Sequence, residues 1–385
     1  MKFITTFILV AFCWSAQANG QLRFNFDITG NTGLNSNAAA GLQQAADFWS
    51  AQFSDDIEIN VRVRFANVGG FLAEANSRDA LYSYSDFKAA LVADALSADD
   101  VTYSSSLPAG DDFSVYINRT SESFVAFVDD DGGANNTQVL LNNSNAKALG
   151  LISPTRLGQD VEIIFTNGLL FDFDASDGIS TGFQNFVGIA IHEIGHAMGF
   201  TSGVATLDDS GTGFNDDFFT EVSALDFARH SPDSIAAGAD LDFTADTRPK
   251  FYSIDGGVTA GGGLVGGLDH FSLGPVNGDG RSASHWRDGN LGDRVQLGIL
   301  DPTINGAGNL DFVTALDLQA LDIIGFDPIV LKGDVDMDGD VDFADIPAFI
   351  AILQAGIFQA EADCDCNLVV DFADIPAFIA ILVNQ

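Results

Sequence analysis

The chain has 385 residues and carries 54 Asp and Glu against 16 Lys and Arg, a formal net charge of −38. Phosphate backbones and anionic lipid surfaces require clustered Lys and Arg, so nucleic acid and membrane surfaces are excluded as default partners. Hydrophobic residues make up 46% and include 33 Phe, which supports a sizeable core and excludes a disordered acidic polymer. Only seven of the acids are Glu. So much Asp leaves two uses open: solubility in salt, and hard cations bound through oxygen.

The N-terminus has Lys2, an apolar run over residues 3–14, and then Ser15-Ala16-Gln17-Ala18. A basic start, a short apolar core and a small-x-small ending mark residues 1–18 as a secretory signal cleaved after Ala18. Export to a secreted or cell-surface location is therefore expected. No other apolar run approaches the roughly 20 residues of a membrane span. Cleavage removes Cys13 and leaves Cys364 and Cys366, too few for a disulfide framework. A strained local bridge and two thiols both stay open.

Residues 23–28 alternate as a strand. Residues 38–53 form a helix with Leu42, Ala45, Ala46 and Trp49 on one face, and residues 57–65 alternate again. Further short strands are predicted over 124–128 and 161–165, the second as a sheet edge along which an extended peptide can lie. Two acidic clusters, Asp129-Asp130-Asp131 before Gly132-Gly133 and Asp172/Asp174/Asp177, read as exposed loop acid, with structural calcium an alternative for the second, which follows a strand. Residues 205–310, rich in Gly, Asp and Asn, read as loop-heavy. The fold class is α+β.

One helix in the middle is far more informative. Residues 186–200 read FVGIAIHEIGHAMGF, and His192 and His196, four apart, project from one face. Two neutral imidazoles at that spacing can hold one Zn²⁺, with Glu193 placed to take a proton from the water the metal activates. Gly199 is a natural helix terminator. A catalytic zinc takes three protein ligands, and the remaining histidines are His230, His270 and His285.

HEIGHAMGF, the later Ser284-His285-Trp286, and Gly298-Ile299-Leu300-Asp301-Pro302 together resemble secreted bacterial metalloproteases related to leishmanolysin. Asp317 to Phe326 resembles the closing helix of that group, and the likeness covers roughly residues 129–327. The resemblance implies a metzincin-like domain over residues 19–328, with a mixed sheet and a central zinc helix. It also implies His285 as third zinc ligand beside His192 and His196, Glu193 as general base, and a protein or peptide as substrate. His230 and His270 are left as loop or outer residues. The chain departs from the pattern at Ser202, where the compact metzincin spacing has its third His, and at Leu300, where the turn methionine is expected. A non-catalytic binding or surface-assembly protein with a structural metal in this helix is the rival reading.

An internal repeat closes the chain: residues 333–353 recur as 362–382. Asp334, Asp336, Asp338, Gly339, Asp342 and Asp345 fall at positions 1, 3, 5, 6, 9 and 12 of a calcium loop. The second copy offers Asp363, Asp365, Asn367, Asp371 and Asp374, with Leu368 in place of the turn glycine, so weaker Ca²⁺ binding is expected there. The pair resembles a dockerin domain over residues 333–385, small, all-α and duplicated. That likeness implies a cohesin-like partner, although Phe343-Ala344 and Phe372-Ala373 replace the polar pair common in cohesin-recognising dockerins. Residues 333–385 hold ten Asp, one Glu and no Lys or Arg. The acidity outside them reads mainly as solubility of an exported protein.

Overall fold

A computed structural model describes residues 21–28, 36–174, 178–289, 296–303, 312–329, 331–336, 341–355, 359–365 and 369–383. The signal segment, Asp177, Asp338, Gly339, Cys366, Asn367 and Leu368 lie outside the described residues. The chain divides into two compact units, residues 21–329 and residues 330–385. Structure in the first is mixed α and β, with several small sheets. No described helix is long and apolar enough to cross a membrane.

The largest sheet has four strands in the order Arg23–Asp27, Glu58–Ala66, Val161–Thr166 and Ala73–Ser77. The first three run parallel and the last antiparallel, with Val63 opposite Ile163 and Ile163 opposite Ala75. Val161–Thr166 is therefore an interior strand, which corrects its expected place at the edge. Its contiguous Ile163, Ile164 and Phe165 are all buried, the pattern of a strand covered on both faces. The edge is Ala73–Ser77, whose half-exposed AEANS carries no apolar alternation to mark it as a strand.

Helix Ser36–Ser50 buries Leu42, Ala45, Ala46 and Trp49, the face its spacing predicts. Trp49 Nε1 donates to Ile191 O at 3.0 Å, joining this helix to the central helix Phe186–Ala197. On the sheet, Lys147 Nζ lies 2.5 Å from Asp160 Oδ2 and 2.5 Å from Glu58 O, with both side chains fully buried. The strand expected at 124–128 is Phe127–Asp129. Helices Tyr84–Asp94 and Ala98–Ser106 stand where no element is predicted, each N-capped by a serine, Ser83 and Ser97.

Much of the Asp in this unit is not solvated surface. Asp226 accepts from Gly203 N and Ser223 N, Asp208 from Val276 N and Asn277 N, and Asp301 from Gly289 N and Thr303 N, all three being buried. A short carboxylate reaches nearby backbone N–H groups that Glu overshoots, which explains the preference for Asp over Glu.

A second buried group of carboxylates has the opposite character. Burial, with Asp327 and Asp94 beside it, pushes Asp55 up to about 8. Asp94 rises to about 7 and Asp327 to about 6, again mainly through burial, and Asp322 is well above the ordinary range with Asp100 alongside. Groups whose folded pKa is raised bind more protons in the folded chain than in the unfolded one. Their contribution is complete below the unfolded value near 4 and is lost as pH rises towards 8. Asp55→Asn keeps the acceptor that Asp327 N uses at 3.0 Å and removes the charge. Urea unfolding should show the variant more stable at pH 8 by about 1–3 kcal/mol and unchanged at pH 4.

In the second unit, helices Asp345–Ala355 and Ile375–Leu382 pack through Phe349 and Phe378, stacked with ring centroids 4.1 Å apart. Val335, Ala362, Cys364 and Val370 complete this small core.

Candidate metal centre

The central helix starts at Asn185, whose Oδ1 accepts from Gly188 N at 2.9 Å. Two asparagines from the segment 142–145 finish it: Asn142 Nδ2 donates to Ala197 O at 3.1 Å and Asn145 Nδ2 to Met198 O at 3.0 Å. Gly199 then turns with φ +117°, and a Cβ there would lie 2.0 Å from Asn145 Oδ1. Only glycine fits that turn and that approach.

His192 and His196 share one face as their spacing predicts, and their Nε2 atoms are 3.0 Å apart. His285 arrives from 89 residues downstream and places its Nε2 3.2 Å from that of His196. Each ring's other nitrogen meets a backbone carbonyl: His192 Nδ1 at 2.7 Å from Ile299 O, His196 Nδ1 at 2.7 Å from Phe200 O, and His285 Nδ1 at 3.2 Å from Ser282 O. A carbonyl only accepts, so every Nδ1 carries the hydrogen and every Nε2 presents a lone pair. Three lone pairs then face one another with no proton between them. That arrangement repels itself unless a cation sits among them, so the donor set fits a zinc ion.

Burial also keeps the rings neutral, as metal ligands must be. It lowers His192 to about 4 and His196 to about 3, the latter with His192 contributing, and holds His285 well below its usual value. Glu193 is buried on the same helix and pushed up to about 8 by burial first and then by Glu74 of the edge strand. That strand packs against the central helix.

His285 is held through its neighbours. Ser284 Oγ accepts from Ser202 N at 3.0 Å, and Ser272 N donates to His285 O at 3.0 Å. Trp286 is fully buried against Phe200 and Phe271, and its N donates to Leu300 O at 2.9 Å. Leu300 lies under the metal helix, its Cδ atoms 3.1 Å from where a Cβ on Gly195 would sit. A side chain at 195 would therefore require the Leu300 side chain to shift.

Sequence reasoning passed over Asp317. Fully buried, it accepts from Trp286 Nε1 at 2.8 Å, Ile299 N at 2.9 Å, Leu300 N at 3.3 Å and Thr314 N at 2.8 Å. It ties the His285 segment to the turn whose Ile299 carbonyl orients His192. The signal available was Thr314-x-x-Asp317, a capping-box pattern. Asn142 and Asn145 carry no comparable signal.

No family model, no curated protein and no solved structure matches this chain.

His230 and His270 do not join the trio. His230 is buried in the short strand Arg229–His230, and His270 Nδ1 accepts from Tyr252 N at 3.2 Å. Ser202 Oγ donates to Asp226 Oδ1 at 2.5 Å and serves the loop beyond Gly199. In the second acidic cluster, Asp172 accepts from Ser180 N at 2.9 Å and Asp174 N at 3.2 Å, hydrogen bonds that close the loop.

In the tail, oxygens of Asp334, Asp336 and Asp345 come within 4.8 Å of one another, as do those of Asp363, Asp365 and Asp374. Asp345 anchors its loop by accepting from Val335 N and Asp336 N, and Asp374 accepts from Asp365 N and Asp371 N. Asp342 and Asp371 stand outside these groups. Their Oδ1 atoms instead accept from Ala344 N and Ala373 N, at 2.5 Å and 2.6 Å.

Proposed function

We propose that the chain is a secreted, zinc-dependent endopeptidase of the leishmanolysin-like metzincin type, with a calcium-binding, dockerin-like tail. The observation that carries this is the meeting of three Nε2 lone pairs beside a buried glutamate. Bound there by His192, His196 and His285, Zn²⁺ would polarise the scissile carbonyl and make water nucleophilic near neutral pH. Glu193 takes the proton from the attacking water and returns it to the departing amine, so one peptide bond and one water become an acid and an amine. The carbonyls of Ile299, Phe200 and Ser282 hold the three rings in the ligating tautomer.

Ala73–Ser77 is paired on one side, to Val161–Thr166, and its place at the sheet edge offers an extended peptide backbone a strand to extend. Glu74 on that strand adds to the negative field at Glu193. In the tail, Asp334, Asp336 and Asp345 and their second-copy counterparts would hold Ca²⁺, for stability or for attachment to a cohesin-like partner.

Metal analysis and casein digestion of the mature chain test the reading. One zinc per chain and cleavage abolished by a chelator are expected, with His285→Ala weakening zinc by about 100-fold or more. Full zinc without cleavage would favour a structural metal in a binding protein. Stoichiometric zinc in His285→Ala would mean another third ligand.

A further inference from the structure

The turn Ala134–Thr137, after the strand Phe127–Asp129, packs beside the 3-10 turn Asp216–Phe218. Asn135 sits between them, 2% exposed. Its Nδ2 donates to Asp129 Oδ2 at 2.5 Å, which fixes the orientation of the amide. Its Oδ1 therefore points the other way, is buried, and has no hydrogen-bond donor. What it meets instead is more oxygen. A Cβ on Gly133 would lie 2.7 Å from Asn135 Oδ1, 3.1 Å from Asp217 Oδ1 and 3.2 Å from Asp131 Oδ1.

Three acceptors thus converge on the open face of a glycine, one of them orphaned in the interior. Flipping the amide would only turn the orphaned oxygen against Asp129. Behind this front stand Asp129 and Asp216, 4% and 5% exposed. Both carboxyls are raised first by burial and then by acids of the same group: Asp131 and Asp216 act on Asp129, while Glu122, Asp217 and Asp131 act on Asp216. A bridging water has two hydrogens for three oxygens and leaves the charge in place. A hard cation satisfies all of them, and uneven carboxylate and amide oxygens suit the flexible coordination of Ca²⁺ better than the strict octahedron of Mg²⁺.

We propose that Asp131, Asn135 and Asp217, backed by Asp129 and Asp216, form a calcium site that staples the Ala134–Thr137 turn to the Asp216–Phe218 turn. It stands apart from the zinc centre and from the two tail loops, and does not depend on the chain being a peptidase.

Calorimetric titration of the full chain with CaCl2 tests the site. Asp131→Asn with Asp217→Asn should bind one calcium fewer than wild type and lose part of the calcium-induced rise in melting temperature. Equal stoichiometry in the two chains would overturn the site, whatever the number bound by the tail. Asn135→Asp gives an independent answer should the double variant not fold. Asn135→Asp exchanges the Nδ2 donor to Asp129 for a carboxylate oxygen, so it should melt lower than wild type in EGTA and recover part of that loss in calcium, which the added charge attracts. A melting temperature lowered equally in both would mean that no calcium binds there.

Discussion

Glu193→Gln is expected to keep zinc at wild-type stoichiometry while peptide-bond hydrolysis falls by about a hundred- to ten-thousandfold. Gln matches Glu in size and cannot accept the proton, so the change removes one chemical act and little else. The geometry makes the separation clean. Metal retention depends on the three rings and their carbonyl partners, and none of those hydrogen bonds involves the Glu193 side chain. Casein digestion and metal analysis on one preparation give both numbers. Equal cleavage by the two chains would remove Glu193 from the mechanism; lost zinc would make it a structural residue.

How much of the centre was legible depends on sequence distance. His192, Glu193, His196 and Gly199 lie within one helix and its stop, where a periodicity of 3.6 residues fixes their common face. His285 had no such local rule. Its position follows from Ser284 on Ser202, Ser272 on the His285 carbonyl, and Trp286 in the core, contacts formed only after folding. The sheet shows the same division. The alternating segment 57–65 and the apolar face of 38–53 could be read directly, since each buries what its pattern offers. Ala73–Ser77 could not, because a half-exposed edge strand needs no apolar face. The tail repeat was legible as a repeat, yet that Asp342 and Asp371 turn to backbone amides is a choice spacing does not encode.

The Asp residues teach a related lesson. Net charge suggested solubility, but Asp226, Asp208, Asp301 and Asp317 are interior caps, and Asp129 and Asp216 belong to a buried oxygen cluster. Composition counts carboxylates without distinguishing those that meet N–H groups from those that meet one another.

Asp317 allows that distinction to be tested with the largest effect on folding. Asp317→Ala leaves Trp286 Nε1 and the backbone N–H groups of Ile299, Leu300 and Thr314 without their acceptor inside the core. Each orphaned buried donor costs about 1–3 kcal/mol, so a loss of roughly 3 kcal/mol or more is expected even after relaxation. The same change should weaken zinc by about 10- to 100-fold, since the Ile299 carbonyl orients His192 and Trp286 adjoins His285. General destabilisation reproduces the first effect but not a loss of zinc affinity in the folded chain. Phe113→Ala supplies the control: its ring packs on Tyr84 and Phe227, and removing it should cost about 3–5 kcal/mol. Phe113→Ala should keep zinc affinity in the folded chain, whereas Asp317→Ala should lose it at matched fraction folded. If competition with a zinc chelator ranked the two variants equally, Asp317 would be a core residue with no hold on the metal centre.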